Sequence, residues 1–221
     1  MIKNSLSIQN GLYLIIDPAS MELQLLLQKV EAALKGGVSA IQILNNFKPN
    51  TCKILIIDSV TILAHRFSVP VLMNQDLTEI ERVNGIHFEE IPDNFESIRP
   101  TIPSDAIVGI TCGNNFDKIE WAVRHNLDYI SFGAVFPTDS IDSYSIVSLE
   151  TVRKARIYTD MPLFLCGGIT LDNIEQLGNV GFDGIAVISG IMSAESPQES
   201  ACSYKTAIEK IKKTRKIEAF A

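Results

Sequence analysis

Two short segments in the last third of the chain carry residue types suited to holding an anion. Leu163–Phe164–Leu165–Cys166–Gly167–Gly168–Ile169–Thr170 and Gly184–Ile185–Ala186–Val187–Ile188–Ser189–Gly190–Ile191 each run from an apolar strand into a turn of small residues. A glycine has no Cβ, so backbone N–H groups beside it stay open to a ligand. A short helix beginning at Ser189–Gly190 would add unpaired N–H donors and the positive end of its dipole, which suit a phosphate. On the residues alone the alternative is a tight turn at Gly167–Gly168 with no ligand attached to it.

The elements that must position these turns are legible from hydropathy. A continuous apolar run at 12–16 reads as a strand buried on both faces, and largely apolar segments at 38–43, 69–73, 85–88, 106–110, 129–132, 162–165 and 184–188 read as seven further strands. Between them, apolar residues at helical spacing predict helices over 21–35, 54–64, 77–83, 116–123, 147–155 and 171–177, a weak turn at 93–98, and a last helix at 201–211 before a charged tail at 212–221. Strands joined by helices pair in parallel. Eight such units in 221 residues predict one α/β domain over 1–221, a single (β/α)8 TIM barrel. An open doubly wound sheet would want a glycine-rich first turn, and Asp17–Pro18–Ala19–Ser20 is not one. In the closed barrel, turns after the last two strands commonly hold phosphate.

Hydrophobic residues make up 46% of the chain and charged residues 20%, as in an ordinary soluble protein. With 19 basic and 26 acidic residues the net charge is −7, which argues against nucleic acid or an anionic membrane as partner. A phosphorylated small molecule would therefore have to be held by local donors. Cys52, Cys112, Cys166 and Cys202 lie far apart, so no CxxC or zinc spacing exists, and free thiols of a cytoplasmic protein are expected. Residues 1–10 lack the apolar run of a signal peptide, and no run of about 18 apolar residues suits a membrane span.

Residues 11–17 and 30–42, Gly85–Ile86–His87, Val108–Gly109–Ile110–Thr111–Cys112, Gly133–Ala134–Val135–Phe136–Pro137–Thr138, Gly167–Gly168–Ile169–Thr170 and 184–191 together resemble the thiamine phosphate synthase family and its relatives, the thiazole tautomerases. The resemblance implies a transferase of thiamine biosynthesis. It would join an aminopyrimidine pyrophosphate to a thiazole phosphate, with Mg2+ as cofactor and a homo-oligomer as the expected assembly. It implies a thiazole-phosphate site at Gly167, Gly168, Ile188 and Ser189, helped by Thr138 and Ser140. Gln42, Asn74 and Thr111 would face the pyrimidine or the pyrophosphate. Expelling a diphosphate demands cations around it as the C–O bond breaks.

At that point the chain departs from the family it resembles. Where the resemblance expects Gln–x–Arg–x–Lys, it has Gln42–Ile43–Leu44–Asn45–Asn46. The expected Asn–Asp is Asn74–Gln75, with Asp76 one place late. Gly–Gln–Glu–Asp has become Glu89–Glu90–Ile91–Pro92, with Asp93 one place late. Thr–x–Thr–Lys has become Thr138–Asp139–Ser140–Ile141, and the histidine position of the tautomerases is Gly113. Three cations are gone, at Leu44, Asn46 and Ile141. Lys48 and Lys53 are the nearest candidates to replace them. Glu89 and Asp93 are the candidates to hold a metal ion, against a solvated acidic loop. His87 reads as a hydrogen-bonded structural histidine, and His65 and His125 as residues of outer helices. Removing one preorganised donor costs on the order of 10²–10³ in rate, so losing three implies little condensing activity. Two other readings stay open: a non-catalytic paralogue that binds a phosphorylated ligand, and a different barrel enzyme using Asp139, Glu89 or Asp93 as general base.

Overall fold

The computed structural model describes residues 6–137 and 146–218, with side chains described as far as Arg215. Strands β1 (Gly11–Ile16), β2 (Val38–Ile43), β3 (Val71–Asn74), β4 (Gly85–Phe88), β5 (Ile107–Thr111), β6 (Tyr129–Phe132), β7 (Leu163–Cys166) and β8 (Gly184–Val187) pair in sequence order, all parallel. Pairing of β1 with β8 closes the barrel. The expected (β/α)8 barrel is therefore the fold.

Each strand is buried on both faces, which is why its sequence lacks the polar alternation of a half-exposed sheet. One set of side chains fills the barrel: Tyr13, Ile15, Ala40, Leu72, Tyr129 and Phe164 form an inner layer. The other set packs outward under the helices, where Leu14, Ile41, Ile57, Val60 and Ile130 are fully buried. The helices are α1 (Leu23–Lys35), α2 (Lys53–His65), α3 (Phe95–Ile98), α4 (Phe116–Arg124), α5 (Leu149–Tyr158), α6 (Ser189–Met192) and α7 (Pro197–Glu218). Among the described residues no helix is long and apolar enough to cross a membrane.

Two expected helices shrink. Residues 77–83 supply only a 3-10 turn at Ile80–Arg82, and 171–177 only one at Ile174–Leu177. Each is long enough to bury one or two apolar residues, Ile80 in the first and Ile174 with Leu177 in the second, and no more is needed to cover its strand. The charged stretch from Lys212 is not a tail. It continues α7 to Glu218, because Lys212 Nζ donates to Asp183 O at 3.0 Å and Arg215 Nη2 to Phe182 O at 3.0 Å. Pro197 opens this helix at a position where its missing N–H has no intrahelical partner to lose. Ala201, Tyr204, Ile208 and Ile211 form its buried stripe.

Candidate active site at the barrel mouth

The C-terminal ends of the strands open on a mouth with two different walls. On the β7–β8 side, Gly167 and Gly168 have φ of +85° and +67°, the left-handed region. A Cβ on Gly168 would lie 2.5 Å from both Phe136 O and Pro137 O, so glycine is required there. The turn is bonded to the loop after β6, by Val135 N to Cys166 O at 3.0 Å and Phe136 N to Gly167 O at 3.1 Å. Asn173 Nδ2 holds Gly168 O at 2.8 Å.

After β8, Ile188 precedes α6 at Ser189, and both residues are exposed. Tyr204 of α7 lies behind both turns. Its hydroxyl donates to Ile169 O at 3.1 Å, and a Cβ on Gly190 would come within 2.5 Å of the same oxygen. The two glycine turns are thus brought together on one buried phenol. The first N–H groups of α6 have no intrahelical acceptor. Thr138, Ser140 and Ile141 lie outside the described residues.

The wall from β1 round to β6 is made of side chains. Asn74 Oδ1 accepts from Gln42 Nε2 at 3.0 Å, and Gln42 Oε1 accepts from Tyr13 at 3.0 Å. Tyr13 and Tyr129 share a hydroxyl contact of 3.0 Å. Tyr129 meets His87 Nδ1 at 2.7 Å, His87 Nε2 meets Thr111 Oγ1 at 2.8 Å, and Thr111 meets Ser131 at 3.1 Å. Register explains the meeting: Asn74 pairs with His87, His87 with Gly109, and Gly109 with Tyr129. Gly109 clears the space for the Tyr129 ring, since a Cβ there would sit 2.1 Å from Cε1. Burial holds His87 neutral, pushing its pKa down to about 3, and pushes the Tyr13 and Tyr129 hydroxyls up. Burial also raises Cys166, to about 12, so this thiol is not a nucleophile.

Glu89, one residue beyond β4, reaches over this wall. Its Oε1 lies 3.9 Å from His87 Nε2. Burial pushes its pKa up, while the nearby Thr111 and Asn74 side chains and the charge of Lys118 pull the other way. The positions that would carry cations do not. Leu44 packs against the inner layer, and Asn46 Nδ2 donates to Asp17 Oδ1 at 3.0 Å. Lys48 pairs with Glu22 at 3.3 Å. Lys53 pairs with Asp76, which Thr78 N also holds at 2.9 Å. Burial opposes ionisation of Asp76, but these partners hold its pKa below the usual carboxylate value. Lys118 Nζ, almost buried, spans Glu89 O at 2.8 Å and Glu90 Oε2 at 2.7 Å.

A magnesium ion is commonly held by one or two carboxylates together with substrate phosphates, so a protein's own share of such a site is small. Among the described residues no three of His, Cys, Asp or Glu converge on a metal position. Asp76 is held by a lysine, and Glu89 and Asp93 are not part of any such group.

Comparison with known proteins now places the chain. The family model described as thiamine monophosphate synthase matches residues 12–191. The chain belongs to the thiamine monophosphate synthase family. A thiamine-phosphate synthase of Methanobrevibacter smithii is 30% identical over 191 residues, 85% of this chain and 90% of that protein. One from Nitrosococcus oceani is 29% identical over 197 residues, 88% of this chain and 91% of the relative. Among solved structures, a thiamine phosphate pyrophosphorylase from Pyrococcus furiosus superposes with a TM-score of 0.75 at 24% identity, covering 96% of this chain and 99% of the other. That last likeness speaks for the fold.

Gln42, Asn74, Thr111 and His87 are joined in one network, and Gly167, Gly168, Ile188 and Ser189 in one pair of turns. His65 and His125 lie outside the barrel, His65 against Asn84 at 2.8 Å and His125 against Trp121 O at 2.8 Å. Tyr13, Tyr129, Ser131 and Tyr204 were not singled out from sequence. The first three had a signal, a polar residue inside an otherwise apolar strand. Tyr204 had none, because a tyrosine in an apolar helical stripe reads as ordinary core.

Proposed function

We propose that this member of the thiamine monophosphate synthase family binds a phosphate monoester of the thiazole-phosphate type at the β7–β8 turns and has little of the condensing activity. Gly167, Gly168, Ile188 and Ser189 would hold the phosphate through backbone N–H groups. Gln42, Asn74 and Thr111 would meet a ring on the opposite wall. One observation carries the loss of activity: no free cation faces the mouth among the described residues, since Leu44 is packed away, Asn46 bonds Asp17, and Lys48 and Lys53 are paired to carboxylates. A diphosphate leaving group needs such charges as it departs. The undescribed loop 138–145 supplies none, its charged residues being Asp139 and Asp142.

The test is an assay with aminopyrimidine pyrophosphate, thiazole phosphate and Mg2+, beside calorimetry with thiazole phosphate alone. Binding without turnover is expected. Turnover at the rate of a full family enzyme would overturn the reading, and absence of thiazole-phosphate binding would overturn the cradle. Replacing Leu44 by Arg and Asn46 by Lys together should raise affinity for pyrophosphate by tenfold or more. A second reading, a barrel enzyme with Glu89 as general base, is favoured by the burial that raises this carboxyl. It requires the E89Q variant to lose turnover on a phosphorylated substrate while still binding it.

A further inference from the structure

The polar side chains of the β1–β6 wall are joined end to end, and most of them are sealed from water. Tyr13, Gln42, His87, Tyr129 and Ser131 are buried, so they must satisfy one another. A phenol or an alcohol has one proton to donate, and a neutral imidazole carries one N–H. Burial keeps His87 neutral, with its pKa pushed down to about 3. Under those limits the direction of one bond decides the others.

Tyr13 donates to Gln42 Oε1 at 3.0 Å, so the 3.0 Å contact between the two phenols must use the proton of Tyr129. Tyr129 then has only lone pairs for His87 Nδ1 at 2.7 Å, and that nitrogen must carry the imidazole proton. His87 Nε2 is left as an acceptor and takes the Thr111 proton at 2.8 Å. Thr111 in turn accepts from Ser131 at 3.1 Å. At the other end Gln42 Nε2 donates to Asn74 Oδ1 at 3.0 Å, which leaves the Asn74 amide nitrogen outside the chain. Asn74 ends β3 and is partly exposed. The Glu89 carboxylate, 3.9 Å from His87 Nε2, lies beyond hydrogen-bond reach and claims no proton there. The chain run backwards would satisfy the same atoms only if both amides turned over and His87 moved its proton to Nε2. The two ends are therefore coupled across the barrel.

We infer that Tyr13, Tyr129 and His87 are positioning residues: they form a one-way hydrogen-bond chain that fixes His87 as the Nδ1–H tautomer and holds Asn74 with its amide N–H donors toward the mouth. They act through Gln42 and Asn74 and not by touching a ligand. The direction of the chain stands on these contacts alone; only the statement that a ligand reads Asn74 rests on the function proposed above.

Nitrogen NMR of the full chain with isotope-labelled histidine tests it, because a protonated ring nitrogen and a bare one resonate far apart. His87 is assigned by the signal that His87→Asn removes. In the parent its proton should sit on Nδ1, and a proton on Nε2 would overturn the proposal. Y129F removes the acceptor at Nδ1 and should move the proton to Nε2, where Thr111 can accept it. S131A cuts only the far end and should leave the proton on Nδ1. A Y129F protein that keeps Nδ1–H would overturn the role of Tyr129. Melting curves show that each variant is folded, and the parent spectrum decides the direction even if Y129F is not. Calorimetry with thiazole phosphate reads the Asn74 end: Y13F frees the two amides to turn over and should weaken binding at least fivefold. Equal affinity in parent and Y13F would overturn the positioning of Asn74. Failure of thiazole phosphate to bind the parent would remove the function proposed above, and the tautomer would still decide the chain.

Discussion

The two walls of the mouth are built in different ways. The β7–β8 wall presents backbone: two glycines at positive φ, the start of a short helix, and a phenol behind them. The β1–β6 wall presents side chains, hydrogen-bonded from Asn74 through to Ser131, with the Glu89 carboxylate 3.9 Å from His87. Backbone donors survive almost any sequence drift that keeps the turn. Side-chain donors change character with one substitution. A barrel can therefore keep its anchor for one end of a ligand while the other end is refitted.

The sharpest break in this contrast is on the backbone side. Gly168→Ala puts a Cβ 2.5 Å from two carbonyl oxygens at φ +67°, and should cost about 3 kcal/mol or more of stability, read by urea unfolding. Retention of parental stability would mean the turn is not the rigid wall described here. Next comes the core of the other wall. His87→Ala strands the partners Tyr129 and Thr111 and should cost roughly 2–4 kcal/mol in the same measurement.

His87 also sets a pH dependence. Its pKa is pushed down to about 3 in the fold, against about 6.5 in an unfolded chain, so unfolding takes up a proton between those values. Its contribution is full above about pH 6.5 and declines as pH falls toward 3, by up to about 1.4 kcal/mol per pH unit. Glu89, shifted upward, works in the opposite sense, so the slope should be steeper in E89Q and shallower in His87→Asn. Stability measured at a series of pH values in the three proteins separates these.

A smaller effect sharpens the comparison. Tyr204→Phe removes the bond to Ile169 O, worth about 1 kcal/mol, and loosens the two turns against each other. Thiazole phosphate affinity, read by calorimetry, should fall several-fold. Least of all, Asp76→Asn breaks the pair with Lys53 near the mouth's outer edge and should change stability by less than about 1 kcal/mol. A large loss there would mean that Lys53 works inside the mouth after all.

The barrel was legible because its strands are buried on both faces and so stand out as apolar runs between helical patterns. Helix lengths were less so. The segments over 77–83 and 171–177 have helical spacing, yet a single 3-10 turn buries all they need to bury. The reach of α7 to Glu218 was hidden because charged residues look like a tail until Arg215 and Lys212 find the carbonyls of Phe182 and Asp183. The glycine turns were visible, since glycine pairs announce themselves. The Tyr13–Tyr129–His87 network was not, because residues 116 and 42 positions apart meet only when the barrel closes. Glu89 was visible as an acid, but the approach of its carboxylate to His87 is a matter of three-dimensional placement.

The phenol of Tyr204 belongs to the last helix, although the turns it braces are made earlier in the chain. During synthesis all eight strands leave the ribosome before that helix does. The clasp on the two turns is thus fitted only after the barrel's strands have been made, so the order of synthesis runs sheet first and brace second.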